Sequence, residues 1–103
     1  MVVELNGKNF RQEVLYAEQP VLVDFSAEWC KPCKAVTSLV KEVAEELSDS
    51  VKVCTVDADG ALDILSKYKI FSVPTLMVFE NGNPVAKNAG RISKMEIKQL
   101  LSC

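Results

Sequence analysis

The chain has no histidine, and its 103 residues include only 4 glycines, 4 prolines and 1 tryptophan. Without histidine there is neither a mixed Cys/His zinc site nor a Cys–His nucleophilic pair. The few breakers are scattered, so no linker, repeat array or low-complexity tract interrupts the chain. Long apolar runs are missing too: nothing approaches the roughly 20 residues of a membrane span. The opening "MVVELNGKNF" lacks the basic start and apolar stretch of a signal peptide, so a cytoplasmic protein with no membrane partner is expected. Charge of one sign is not concentrated anywhere. With 12 basic and 14 acidic side chains, a net charge of −2 and a pI near 5.1, the surface argues against nucleic acid as a partner.

What is present is ordinary globular material, 49% hydrophobic and 25% charged. One domain over 1–103, large enough to bury a core, is expected, and a monomer with it. The 4 cysteines are the unusual feature. In a reducing compartment they favour reactive or metal-binding thiols over a structural disulfide framework.

Hydrophobic period organises the chain. "VVEL" reads as a first strand, followed by a helix over 9–17 that Asn9 caps, with Gln12 in the partner position of a capping box. "PVLVDF" is an apolar run with one acid in it, as in a strand buried on both faces. Over 31–47 the period turns helical: Val36, Leu39, Val40, Val43, Ala44 and Leu47 form one stripe, with Lys41, Glu42, Glu45 and Glu46 opposite. "VKVCTVD" is a second core strand, so strand, helix and strand make a βαβ unit with parallel strands. Asp59 and Gly60 introduce a short helix carrying Leu62 and Leu65. "TLMVFE", a turn at "NGNP" and "VAKNA" predict an antiparallel hairpin. Ser93 and Glu96 form a capping box for a last helix that buries Ile97, Leu100 and Leu101. The sum is an α/β sandwich, a mixed sheet covered by helices.

"FSAEWCKPCKAV" puts Cys30 and Cys33 where the apolar strand gives way to the long helix. A structural clamp, half a metal site and a redox dithiol are all compatible with C-x-x-C spacing alone. No second C-x-x-C exists to complete zinc, because Cys54 lies within a strand and Cys103 at the end of the chain. Metal binding is therefore not expected. A thiolate at Cys30 would gain from the free N–H groups and positive dipole end of the helix, and from the neighbouring Lys31. Pro32 suits a first helical turn, where its missing N–H breaks no bond. Cys33 falls one helical turn on, within reach of a disulfide. Asp24, an acid inside "VLVDF", is either a core carboxyl held by a hydroxyl or water, or a protonated acid able to exchange a proton with Cys33. Cys54 is read as packing, and Cys103 as an exposed thiol open to mixed disulfides.

With "VLVDFSAEWCKPCK", "SVPTLMVFENG" and "AGRIS" in this order, the chain resembles the thioredoxin family over essentially its whole length. The resemblance implies the thioredoxin fold, an α/β fold whose mixed central β-sheet carries helices on both faces. It implies a small protein-disulfide reductase and electron carrier, with no bound cofactor because the Cys30–Cys33 pair is itself the carrier. Cys30 would attack a substrate disulfide, Cys33 would resolve the mixed disulfide, and Asp24 would be the buried proton-transfer acid. Pro74 matches the family's cis-proline. Trp29, Val73, Ala89 and Gly90 match the apolar rim that receives substrate, while Gly82 and Gly90 match glycines needed for a turn and a close backbone approach. The implied partners are disulfide-containing proteins and a thioredoxin reductase.

Departures from the family pattern are local. Lys31 stands in place of the usual glycine, and it should favour thiolate and so a more oxidising couple. Ser26 replaces a common tryptophan, Ser38 a helix-bending proline, and Val53 a lysine that some members keep near the buried acid. Arg91 adds charge to the rim. An oxidase or isomerase, and a binding module with an incidental dithiol, are the rival expectations. A module would be expected to have lost a cysteine or the acid, and this chain keeps all three.

Overall fold

"PVLVDF" and "TLMVFE" lie side by side as neighbouring inner strands of the sheet. A computed structural model describes residues 2–101. Its strands are β1 (Val2–Leu5), β2 (Val21–Ser26), β3 (Lys52–Asp57), β4 (Thr75–Glu80) and β5 (Asn83–Ala89), in spatial order β1-β3-β2-β4-β5. β3 runs parallel to both β1 and β2, as a helical crossover demands, whereas β4 is antiparallel to β2 and β5 to β4. β2 and β4 are inner strands and each is buried along its first five residues. That explains why their sequences do not alternate.

Helices cover both faces. On one face, α1 (Lys31–Glu46) and α3 (Lys94–Leu101) pack Val36, Val40, Val43 and Ile97 onto Leu22, Val53, Leu76 and Val78. Lys94 and Lys98 of α3 both pair with Glu46 of α1, lacing the exposed edges of the two helices. On the other face, Val14 and α2 (Leu62–Lys67, through Ile64) cover Val23, Phe25, Cys54 and Phe79. Phe10, Tyr68 and Phe79 meet there with ring centroids 5.2 to 5.9 Å apart. A buried Phe or Val in such a layer contributes about 1.5–3 kcal/mol, so the two clusters carry the fold.

Three local expectations need correction. The segment after β1 is not an α-helix capped by Asn9. It is a π-helical turn over Arg11–Leu15 whose N-cap, Phe10, makes no side-chain cap bond, and the reciprocal side-chain–backbone pair lies in the turn before it, between Asn6 and Asn9. Asn6 Oδ1 accepts from the Asn9 N–H at 3.1 Å while Asn9 Oδ1 accepts from the Asn6 N–H at 2.7 Å. The hairpin turn is Asn81–Gly82 alone, both with positive φ (53° and 82°), and β5 already includes Asn83 and Pro84. Pro84 is tolerated because β5 is an edge strand, and a bulge shifts the register between Val78 and Phe79. In α2 the buried residue is Ile64. Leu62 is exposed because a six-residue helix presents only one turn to the core.

The Ser93–Glu96 capping box forms as expected, with Ser93 N–H on Glu96 Oε1 and Glu96 N–H on Ser93 Oγ. Ile97 is fully buried, and Leu100 and Leu101 pack at its margin. Cys54 lies buried in the β-sheet cluster, where burial pushes its thiol up to about 11, so it is packing. Cys103 falls outside the described residues.

Candidate active site

The inner strand β2 ends at Ser26, and three residues later Cys30 is the N-cap of α1. Lys31 and Pro32 fill the first helical positions, and Cys33 is already a buried member of the helix. The two sulfurs are joined as a disulfide across a Cα–Cα separation of 5.3 Å. Cys30 Sγ accepts the Cys33 backbone N–H at 3.2 Å. A reduced Cys30 thiolate would therefore sit on a helix N-terminal donor, the arrangement that lowers a thiol pKa. Cys33 is 1% exposed and Cys30 5%, both packed against Ala27 and Val73. Lys31 projects into solvent beside them.

Asp24 is fully buried. The Thr37 hydroxyl of α1 donates to its Oδ2 at 2.7 Å, and Oδ1 has no hydrogen-bond partner among the described residues. Burial raises the carboxyl pKa from the ordinary 3.8 to about 6, partly offset by the Thr37 bond. A hydroxyl thus holds the acid, and burial brings its ionisation up toward neutral pH. The β3 residue paired with Asp24 is Thr55, whereas Val53 pairs with Leu22 one step lower. Thr55, and not Val53, is therefore the position that could offer a charge to the acid.

The remaining site residues come from three loops at one end of the sheet. The Val73–Pro74 peptide bond is cis, and the Val73 carbonyl lies 3.9 Å from Cys30 Sγ. The Gly90 N–H donates to the Pro74 carbonyl at 2.8 Å, which ties the end of β5 to the Pro74 loop. Gly90 needs its freedom for φ +96°, since a Cβ there would meet nothing; the close approach is at Gly82, where a Cβ would lie 2.9 Å from the Leu15 carbonyl oxygen. Trp29 is 70% exposed, with its indole N–H on Asp59 Oδ2 at 2.9 Å. Ala89 is exposed and Val73 half-buried.

Sequence reasoning overlooked three residues. Phe71, two positions before Val73, is 90% exposed, and a large aromatic beside "SVPT" was its signal. Asp59 orients Trp29, and Thr37 holds Asp24. Neither had a local signature, because both bonds span elements distant in sequence. A groove of about 620 Å³ runs behind Cys33, with Ser26, Thr37, Ser38 and Thr55 in its wall. Among the described residues, no group of three or more Cys, Asp or Glu could hold a metal.

Two thiols that close a disulfide across one helical turn, at a helix mouth that stabilises thiolate, do thiol–disulfide exchange. That is the chemistry of a thiol–disulfide oxidoreductase. The thioredoxin family profile matches residues 1–102. Thioredoxin of Pseudomonas aeruginosa is 40% identical over 97% of this chain and 93% of its own length. Thioredoxin 1 of Synechococcus elongatus is 45% identical over 89% of this chain and 86% of its own. Thioredoxin of Rickettsia bellii is 45% identical over 80% and 78%. The chain belongs to the thioredoxin family, and with its Cys30–Cys33 pair it is a disulfide reductase.

Proposed function

We propose that Cys30 is the attacking thiolate and Cys33 the resolving thiol. The observation that carries this assignment is the asymmetry of the pair: Cys30 Sγ accepts a helix N-terminal N–H, while Cys33 is the more deeply buried. Cys30 thiolate attacks one sulfur of a substrate disulfide, forming a Cys30–substrate disulfide and releasing the first substrate thiolate. Cys33 then loses its proton to Asp24 and attacks Cys30 Sγ. The Cys30–Cys33 bond forms, the mixed disulfide breaks, and the second substrate thiolate leaves and is protonated. Two electrons have passed to the substrate.

Lys31 and Pro32 shape the helix mouth, and Pro74 sets the loop that offers the Val73 backbone to a bound peptide. Trp29, Val73, Ala89 and Gly90 receive the substrate chain. This rim is apolar enough to accept varied extended peptides, with Arg91 alongside as a charge. A thioredoxin reductase restores the dithiol, and no bound cofactor takes part. The setting is a reducing cytoplasm and the working form a monomer, one domain over 1–103. Only exposed Lys31 points toward an oxidase or isomerase, and the retained Cys30, Cys33 and Asp24 argue against a binding module.

The test is a trapping experiment with a disulfide-containing protein such as insulin. Cys33→Ser should accumulate a mixed disulfide through Cys30, and Cys30→Ser should form none. Accumulation on Cys30→Ser in place of Cys33→Ser would reverse the two roles.

A further inference from the structure

Cys33 and Thr37 are four residues apart in α1 and so share one face of the helix. A helical threonine commonly turns its hydroxyl back onto the carbonyl four residues earlier. Here it reaches across to the sheet and donates to Asp24 Oδ2 at 2.7 Å. A hydroxyl has one proton to give, and Oδ2 receives it. The oxygen left with free lone pairs is Oδ1, which is buried and has no hydrogen-bond partner among the described residues.

We propose that Thr37 is the positioning residue for proton transfer at this site, its hydroxyl fixing the Asp24 carboxyl so that Oδ1 takes and returns the Cys33 proton. The inference rests on the reading of Asp24 as the proton-transfer acid. In the step concerned, the Cys33 S–H bond breaks and its proton goes to Oδ1. The resulting thiolate attacks Cys30 Sγ, and the departing substrate thiolate takes up a proton in exchange. The substrate disulfide is the oxidant, and nothing else is consumed.

The surroundings suit this role. Ser26, two residues beyond Asp24 on the same strand face, and Thr55, the register partner of Asp24, join Thr37 in the groove wall, so the site has a polar side open to water. The titratable groups around that groove are Cys33, Lys34 and Lys41 on α1, Asp57 on β3, Glu4 on β1 and Glu28 in the β2–α1 loop. β4 presents Leu76 opposite Asp24 and adds no charge. Thr37 is therefore the one group hydrogen-bonded to the carboxyl among the described residues. Losing it should raise the pH at which Asp24 ionises.

The experiment compares wild type with Thr37→Val, Thr37→Ala and Thr37→Ser. Two readouts are taken: the 13C carboxyl resonance of Asp24 titrated in the oxidised protein, and the pH profile of insulin-disulfide reduction. Thr37→Val and Thr37→Ala should move the Asp24 midpoint up by about one pH unit, with the ascending limb of the rate profile following it. Thr37→Ser, which keeps the hydroxyl, should leave both in place. An unmoved midpoint in Thr37→Val and Thr37→Ala, or a midpoint that moves without the rate limb, overturns the positioning role. Asp24→Asn separates the two ideas. If it removes the limb while Thr37→Val leaves it unshifted, Asp24 keeps its role and Thr37 loses its own. A limb that survives Asp24→Asn sinks the proton-transfer reading itself.

Discussion

Replacing Asp24 by Asn should stabilise the folded protein, and by an amount that depends on pH. The carboxyl ionises at about 6 when folded against an ordinary 3.8, because burial disfavours the charged form. Between those two values the folded state holds more protons than the unfolded one, so stability falls as pH rises. Below pH 3.8 both states are protonated and the acid carries no penalty. Above about pH 6 the penalty is complete. The difference between the two pKa values corresponds to about 3 kcal/mol, each pH unit being worth about 1.4. Asparagine has nearly the same volume, can still accept from Thr37 and is never charged, so it removes the ionisation term with little else. In oxidised protein followed by circular dichroism, the gap between variant and wild type should be near zero at pH 3.5. It should reach about 1.5 kcal/mol at pH 5 and level off near 3 kcal/mol above pH 7. For a domain of this size the plateau corresponds to roughly 12 °C or more in Tm. A gap that does not change between pH 4 and pH 8 would refute the assignment of the perturbed carboxyl. A variant less stable than wild type at pH 8 would show instead that ionised Asp24 is well solvated in the fold.

Two further outcomes test the fold and the dithiol in turn. Gly82→Ala should destabilise by about 2–3 kcal/mol, since φ is +82° and the new Cβ would lie 2.9 Å from the Leu15 carbonyl oxygen. Gly7→Ala, where a Cβ meets nothing within 4 Å, is the control and should stay within about 0.5 kcal/mol in the same urea titration. Lys31→Gly should make the Cys30–Cys33 couple more reducing by only about 10 mV, the worth of one exposed charge, and less at high salt. A change of about 50 mV or more, measured by equilibration with glutathione, would mean that Lys31 acts by more than its charge.

The fold was legible where burial writes itself into composition. "PVLVDF" and "TLMVFE" are mostly apolar and do not alternate because β2 and β4 are inner strands with helices on both sides. The stripe on α1 and the Ser93–Glu96 capping box follow from short-range periodicity and needed no tertiary information. Errors fell where two local solutions compete. Asn6 and Asn9 can each serve as a cap, and only the contact of the Asn9 amide with the Glu4 carbonyl at the end of β1 decides between them. The same limit governs the site. Cys30, Cys33 and Asp24 stand out in sequence because a thiol pair and a buried acid are chemically conspicuous. Thr37 and Asp59 do not, since a threonine in a helix and an acid in a turn are ordinary until a partner 13 or 30 residues away is known.

Magnitudes also weigh the reductase against the oxidase. The established reference potentials are about −270 mV for thioredoxin and about −180 mV for protein disulfide isomerase, a gap equivalent to roughly 4 kcal/mol. To cross it, the reduced dithiol would have to be stabilised by that amount relative to the disulfide. Lys31 is solvent-exposed, and a charge so placed is worth well under about 1 kcal/mol. The helix N-terminus adds its share through the Cys33 N–H, but that follows from C-x-x-C geometry and is common to reductases and oxidases alike. Asp24 works in the opposite direction. An ionised carboxylate behind the dithiol disfavours a second negative charge on Cys33, so it does not stabilise the reduced, deprotonated pair. The one departure inside the dithiol motif is therefore several-fold too weak to change the direction of electron flow. If the proposed rim receives substrate, exposed Trp29 and Phe71 leave substrate choice, and not the potential, as the property their side chains would set.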